Sequence, residues 1–376
     1  MYITQKQLEK VKKYLQPQKV IVIYGPRRCG KTTLLTHLLD EVDGKYLFVT
    51  GDDISVHDYL SSKSLEKLKA FIGDYKFLII DEAQKIKDIG NNLKLIIDNI
   101  KDIKIIATGS SSFDLARNIG EPLTGRKYTL KMYTLSQIEL NSIETKSETY
   151  KKLEQRLVFG TYPEIVISND QDQKIRYLKE IVSSYLYKDI LELDGIRNSD
   201  KILKLLQLLV FQIGKEVSFN EIGTQLGMSK NTVDRYLDLL EKAFVIFKLT
   251  GFSRNLRKEI VKNPRYYFYD NGIRNALINN FNPLLMRDDI GMLWENYIIV
   301  ERIKKQEYLN INSNNFFWRT YDKKEIDLIE EREGKLYGYE IKWSDKKFKA
   351  PCIWKQTYKN ASLELITRYN YLEFIS

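Results

Sequence analysis

The sequence predicts an α/β chain in three parts: a parallel sheet carrying a phosphate-binding loop, a mostly helical middle, and a smaller terminal α/β domain. Three observations predict it. From residue 20 to about 145, short apolar runs alternate with helical patterns, the signature of a parallel sheet with helices on its faces. The apolar, β-branched Val20–Tyr24 leads directly into Gly-x-x-x-x-Gly-Lys-Thr over residues 25–32, which is the full Walker A phosphate loop. Beyond residue 151 the pattern is helical to about 249, and short strands return around a helix only after residue 286.

Composition sets the bounds. The chain has 376 residues, enough for two or three domains, and 43% of them are hydrophobic, so a sizeable core is available. Lys and Arg outnumber Asp and Glu by 60 to 50, giving +10 and a pI near 9.1; this permits a polyanionic partner without demanding one. Cys29 and Cys352 are the only cysteines, which excludes a disulfide framework and predicts a reducing, cytoplasmic setting. No apolar run approaches 18 residues and the N-terminal segment reads as an amphipathic helix, so neither a membrane span nor a secretory leader is expected.

The elements follow in order. Gly25 and Gly30 let successive N–H groups turn inward around phosphate oxygens, and the helix that begins at Lys31 adds donors and a partial positive charge. Lys31 can reach the β- and γ-phosphates, and the Thr32 hydroxyl can hold Mg²⁺. A second strand is expected over 46–49 and a third over 77–80. The third ends in Asp81-Glu82-Ala83-Gln84. A carboxylate at the end of an apolar strand suits the Mg²⁺ water shell, and Glu82 beside it is placed to orient or deprotonate water.

A further strand over 104–107 leads into Thr108-Gly109-Ser110-Ser111-Ser112. In NTPases with an additional strand between the Walker A and Walker B strands, a polar residue here senses the γ-phosphate. Thr108 and Ser110 both qualify. Arg126, before a strand over 127–132, can serve a nucleotide in its own or a neighbouring subunit. Ser136 and Glu139 form a capping box that starts the next helix. Polar residues around 145 mark the first boundary. Within the helical middle, helices over 217–226 and 229–240 flank Gly227-Met228 and precede a β-like tail, the spacing of a winged helix-turn-helix. The second carries Lys230 and Arg235 but also Asp234 and Asp238, more acid than a dedicated DNA-reading helix usually bears.

A softer boundary falls near 285. Past it, Glu295 lies on a helix expected over 288–305, Asp327 in a strand over 325–330, and Glu340 and Lys342 in a strand over 336–342. Residues two apart in a strand share a face, so Glu340 and Lys342 point together. Carboxylates converging beside a lysine are what a metal-dependent phosphodiesterase needs: the acids hold divalent ions and the lysine steadies water or developing charge.

These motifs carry a resemblance. Through YGPRRCGKTT, LIIDEAQ, ATGSSS, LTGRKYTL with LSQIE, FGTYPEIV, YFYDNGIRNAL and the terminal WEN, EIDLI and YEIKW, the chain resembles ATPases of the AAA superfamily in bacteria and archaea. Those join a P-loop NTPase core to a C-terminal, restriction-endonuclease-like domain of unknown function. The resemblance implies ATP binding by Gly25, Pro26, Arg27, Arg28, Cys29, Gly30, Lys31, Thr32 and Thr33, with Mg²⁺ at Thr32 and Asp81. It also implies catalysis by Glu82, sensing at Ser110 and a role for Arg126. For the terminal domain it implies a nuclease-type set of Glu295, Asp327, Glu340 and Lys342, with Asp327 and Glu340 as a second metal site. The expected domains are 1–145 (ATPase core), 146–285 (helical lid and winged helix) and 286–376 (nuclease-like). The expected function is Mg²⁺-dependent ATP hydrolysis coupled to action on nucleic acid, the alternative being an ATP-dependent switch whose later domains contact protein. DNA, other proteins and further copies of the chain stay open as partners.

Overall fold

A computed structural model of the chain describes residues 2–110, 122–185, 199–253, 263–320, 324–344 and 351–376. These divide into two compact units, Tyr2–Thr134 with Lys242–Phe244, and Leu135–Glu241 with Val245–Ser376.

The first unit is built on five parallel strands, β1 (Val20–Tyr24), β2 (Tyr46–Thr50), β3 (Phe77–Asp81), β4 (Lys104–Gly109) and β5 (Lys127–Lys131), in the order β2-β3-β4-β1-β5. The strand β4 lies between the Walker A strand β1 and the Walker B strand β3, as the additional-strand pattern predicts. Period-two alternation sorts the apolar side chains. Val20, Val22, Leu78, Ile80 and Ile105 face one core, with α3 (Leu65–Ile72) and α4 (Ile89–Asn99) over it. Ile21, Ile23, Ile79 and Ile106 face another, covered by α1 (Gln7–Tyr14) and α2 (Lys31–Leu39) through Leu8, Val11, Leu34, Leu35 and Leu38. Burial on both faces is what allows an all-parallel sheet. Register then matters for function: Tyr24 pairs Gly109 and Thr50 pairs Asp81, so the phosphate loop, Asp81 and Ser110 all emerge at one edge.

The second unit contains a six-stranded mixed sheet, formed by β6 (Ile246–Gly251), β7 (Arg265–Phe268), β8 (Asn314–Arg319), β9 (Glu325–Arg332), β10 (Lys335–Ile341) and β11 (Ser362–Ile366) in the order β11-β10-β9-β8-β6-β7. Its helices include α5 (Lys146–Phe159), α6 (Gln171–Glu180), α7 (Ser199–Val210), α8 (Phe219–Leu226), α9 (Lys230–Lys242), α10 (Asn271–Leu277) and the long α11 (Ile290–Leu309). Gly227, left-handed at φ 59°, ends α8, and Ser229 starts α9 by accepting from Thr232 N.

The packing divides the chain differently from the expected domains. The first unit ends at Thr134, and residues 135–145 fold with the second: Leu135 N donates to Thr161 O, and Glu301 accepts from Gln137 N. The border expected at 285 does not divide the packing, because β6 pairs with β8 across it, Thr250 with Phe316 and Gly251 with Phe317. The hairpin β6–β7 is therefore part of a larger sheet.

The middle motifs LSQIE, FGTYPEIV and YFYDNGIRNAL meet in a buried polar interior. Asp270 accepts from Thr161 N and Gly272 N, Lys304 Nζ donates to Leu135 O, Thr161 Oγ1 and Glu301, and Asn296 brackets Phe268 through its N–H and carbonyl. Such a network fixes one arrangement of the chain, because each partner lost leaves a buried polar group unpaired.

Candidate functional site

Two clusters of reactive side chains stand out, one in each unit. In the first, Gly25 follows β1 where the chain passes so close to Met132 O that a Cβ would lie 1.9 Å from it. Gly30 adopts φ 100°, a left-handed angle that side chains resist, and caps α2. The loop is tied from outside by Gln5 Nε2, which donates to Cys29 O at 2.9 Å. Lys31 is buried, and its ammonium donates to Gly25 O at 3.0 Å and Pro26 O at 2.9 Å. This lysine therefore already curls over the loop that is to receive phosphate.

Across the same edge, Thr32 Oγ1 donates to Asp81 Oδ2 at 2.7 Å. Asp81 Oδ1 accepts from the Thr108 hydroxyl and, at 3.2 Å, from Glu82 N. A hydroxyl and a carboxylate oxygen in contact at the foot of a phosphate loop are the two protein oxygens around which a hydrated Mg²⁺ fits. Glu82 has left-handed backbone angles, φ 50° and ψ 41°. Its carboxylate meets Gln84, which also reaches Ser110. Of the two sensing candidates, Thr108 is committed to Asp81 and Ser110 is the one linked to Glu82. Ser111 and Ser112 lie outside the described residues.

Arg126 is not part of this cluster. It precedes β5, and its carbonyl accepts from Val20 N at the start of β1. The phosphate loop follows the other end of that strand. Five residues at about 3.3 Å each separate the two edges by roughly 16 Å, so Arg126 has no reach to the nucleotide of its own chain. It instead pairs with Asp98, Nε to Oδ1 at 3.0 Å, on the surface.

In the second unit, Lys342 Nζ lies 2.8 Å from Glu340 Oε1 and 3.5 Å from Asp327 Oδ2, which puts those two oxygens at most about 6.3 Å apart. Asp327 Oδ2 also accepts from Ile341 N at 2.9 Å. Glu295, on α11, accepts from the Tyr267 hydroxyl at 2.8 Å. Burial and the neighbouring Asp327 push Glu295 and Glu340 well above the usual carboxylate range, and burial raises Asp327 too. Burial alone would lower Lys342, but Asp327 and Glu340 outweigh it and hold the ammonium above its ordinary value.

The sequence reading missed two members. Arg265, fully buried on β7, donates to Glu325 at 2.7 Å and holds NH1 3.8 Å from Asp327, with its guanidinium over Phe317. Tyr267, two residues on, holds Glu295. A charge inside the aromatic run RYYFY was the signal available, since a buried strand bears an arginine only where acids face it. Among the described residues no group of three or more His, Cys, Asp or Glu side chains is arranged as a metal site, and Lys342 and Arg265 stand among the acids. The arrangement of Asp327 and Glu340 as ligands for one ion thus rests on two carboxylates. Glu340 Oε2, buried and without a hydrogen-bond partner among the described residues, is the oxygen such an ion would take.

Residues 17–141 match the family described as AAA domain, residues 150–284 a domain of unknown function (DUF8612), and residues 290–368 another (DUF4143). An uncharacterized protein of Methanocaldococcus jannaschii is 26% identical over 382 residues, covering 95% of this chain and 83% of the relative. One of Mycobacterium tuberculosis is 24% identical over 338 residues, covering 89% and 72%. Among solved structures, a Walker-type ATPase of Pyrococcus abyssi aligns with TM-score 0.49 and 14% identity over 73% of this chain and 94% of that one. The chain carries an AAA-type ATPase domain. Among the described residues no helix is long and apolar enough to cross a membrane.

Proposed function

We propose that the chain hydrolyses ATP with Mg²⁺ at the phosphate loop and couples this to a metal-dependent phosphodiesterase site in its second unit that acts on nucleic acid. The observation that carries the first part is the contact of Thr32 Oγ1 with Asp81 Oδ2, beneath a lysine already folded over the loop. Backbone N–H groups and Lys31 bind the phosphates, Thr32 and Asp81 hold the hydrated ion, and Glu82 takes a proton from water. When bound there, the ion would supply charge neutralisation for the phosphate oxygens.

For the second part, the support is the convergence of Asp327, Glu340 and Lys342, with one Glu340 oxygen left for a cation. Two carboxylates would hold a single divalent ion and Lys342 would steady the attacking water. A second reading, in which this unit contacts protein, draws on α9. Its exposed positions mix Lys230 and Arg235 with Asp234 and Asp238, which suits a mixed-charge partner as well as a phosphate backbone.

The test is incubation of the full chain with single- and double-stranded DNA and RNA in Mg²⁺ or Mn²⁺, with and without ATP, beside Asp327→Asn and Glu340→Gln. Metal-dependent cleavage lost in both variants supports the proposal. Cleavage that survives both, or none under any condition, leaves the protein-contact reading. Retention on DNA that falls steeply with salt marks a phosphate-binding surface.

A further inference from the structure

The left-handed Glu82 turns the chain back on itself. Residues Ala83–Lys85 form a single 3-10 turn, and the reversal lays the Gln84 side chain against Glu82, two residues earlier. Gln84 Nε2 donates to Glu82 Oε2 at 2.5 Å and to Ser110 Oγ at 3.2 Å. A non-glycine residue in this conformation is strained and persists only where its surroundings fix it. Here they do: Glu82 N donates to Asp81 Oδ1 and Thr108 Oγ1, and Glu82 O accepts from Lys85 N at 3.0 Å.

The orientation of the Gln84 amide follows from its partner. An ionised carboxylate only accepts, so the nitrogen must face Glu82. Both N–H bonds are then used, and Gln84 Oε1 points elsewhere. That oxygen is buried and accepts no hydrogen bond among the described residues. A buried carbonyl of this kind is destabilising if nothing donates to it. Beside a reactive centre, such an orphaned acceptor points to a ligand.

We propose that Gln84 is a positioning residue for ATP hydrolysis: its amide is fixed on Glu82 and Ser110, and its Oε1 accepts one proton of the attacking water while Glu82 faces the other. This rests on the reading of the phosphate loop as the ATP site and of Glu82 as the base. A water held through both protons directs a lone pair at phosphorus, which removes its orientational freedom before reaction; a glutamine orients the attacking water in GTPases. In the step, the water oxygen forms a bond to the γ-phosphorus. The bond from that phosphorus to the bridging oxygen breaks, with its electron pair staying on ADP, and one water proton passes to Glu82. Gln84 neither gains nor loses a proton. Ser110 gives the device its second anchor, so that the amide is held by both of its N–H groups.

The test uses the full chain and three variants: Gln84→Met, of similar length without donor or acceptor, Ser110→Ala, and the two combined. Steady-state hydrolysis, ADP affinity and retention of ADP with aluminium fluoride, which mimics the γ-phosphoryl group with water in place, are measured for each. Gln84→Met should lower kcat by about 100-fold, leave KM and ADP affinity within about twofold, and abolish the fluoride-dependent retention. Ser110→Ala should lower kcat by about tenfold and add little in the combined variant, since both act through one amide. The proposal is overturned if kcat of Gln84→Met stays within about threefold of wild type, if its fluoride complex forms normally, if ADP affinity falls in step with kcat, or if the combined loss equals the product of the single losses. Failure of the parent reading looks different: wild type then hydrolyses no ATP, or Glu82→Gln hydrolyses it at the wild-type rate.

Discussion

Replacing Thr108 by Val tests how the Walker B carboxylate is held. Thr108 is fully buried, and its hydroxyl donates to Asp81 Oδ1 and accepts from Glu82 N at 3.3 Å. Valine fills nearly the same volume, so no cavity opens and the cost is polar alone. A hydrogen bond to a charged carboxylate is worth about 1.5–3 kcal/mol. The Glu82 N–H keeps Asp81 Oδ1 at 3.2 Å and adds little. The first unit should therefore lose about 2–3 kcal/mol, which moves a urea midpoint down by about 1 M. The four tryptophans, Trp294, Trp318, Trp343 and Trp354, all lie in the second unit. Far-UV circular dichroism includes the unfolding of the first unit, and tryptophan fluorescence reports on the second. Thr108→Ser should recover most of the loss. A Thr108→Val midpoint within about 0.2 M of wild type would show that Thr32 and the Glu82 N–H orient Asp81 without Thr108, and the assignment of Thr108 as its support would be wrong.

Three further outcomes follow from the same geometry. Lys31→Ala should lose nucleotide affinity in a binding titration, and Glu82→Gln should bind ATP normally while losing turnover, since the amide has the shape of the acid without its basicity. Arg126→Ala should keep ATP turnover within about twofold of wild type; a tenfold fall would mean that a second copy of the chain brings this residue to the site. The second unit should weaken with rising pH. Burial pushes Glu295 up to about 8 and Glu340 up to about 7 from an ordinary 4.5, so the folded chain keeps protons that the unfolded chain releases. Stability is fullest below about pH 4.5 and is lost as pH climbs toward those raised values. Tryptophan-detected urea midpoints at pH 5.5 and pH 8 should fall in that order, and Glu340→Gln should flatten the difference; an unchanged slope in that variant removes Glu340 as its source.

What the sequence made legible was chemistry held in short spans. Gly25 to Thr32 occupies one loop and the first turn of a helix, and Asp81 ends its own apolar strand, so residue type and spacing could nominate them. The strand endings nominated Thr108 and Ser110 together, and only the bonds to Asp81 and Gln84 separate their parts. In the second unit, period two placed Glu340 and Lys342 on one face, but Arg265 reaches Glu325 from sixty residues away in sequence. No periodicity carries a contact of that range. The border at 285 falls where the family matches change, from 150–284 to 290–368, yet the sheet packing runs across it. Polar residues there do mark a change of pattern, yet β6 joins β8 through main-chain groups, which every sequence supplies alike. Arg126 is the instructive case, because the sequence did hold the information that separates it from its own chain's phosphate loop. In a parallel sheet the ligand-binding loops follow the strands. Gly25, Glu82 and Ser110 each come just after a strand, whereas Arg126 comes just before one. Motif and charge nominated it, while its order relative to β5 puts it at the far edge. For a guanidinium in such a core, position before or after its strand decides which subunit's phosphate it can reach, ahead of anything its neighbours in sequence suggest.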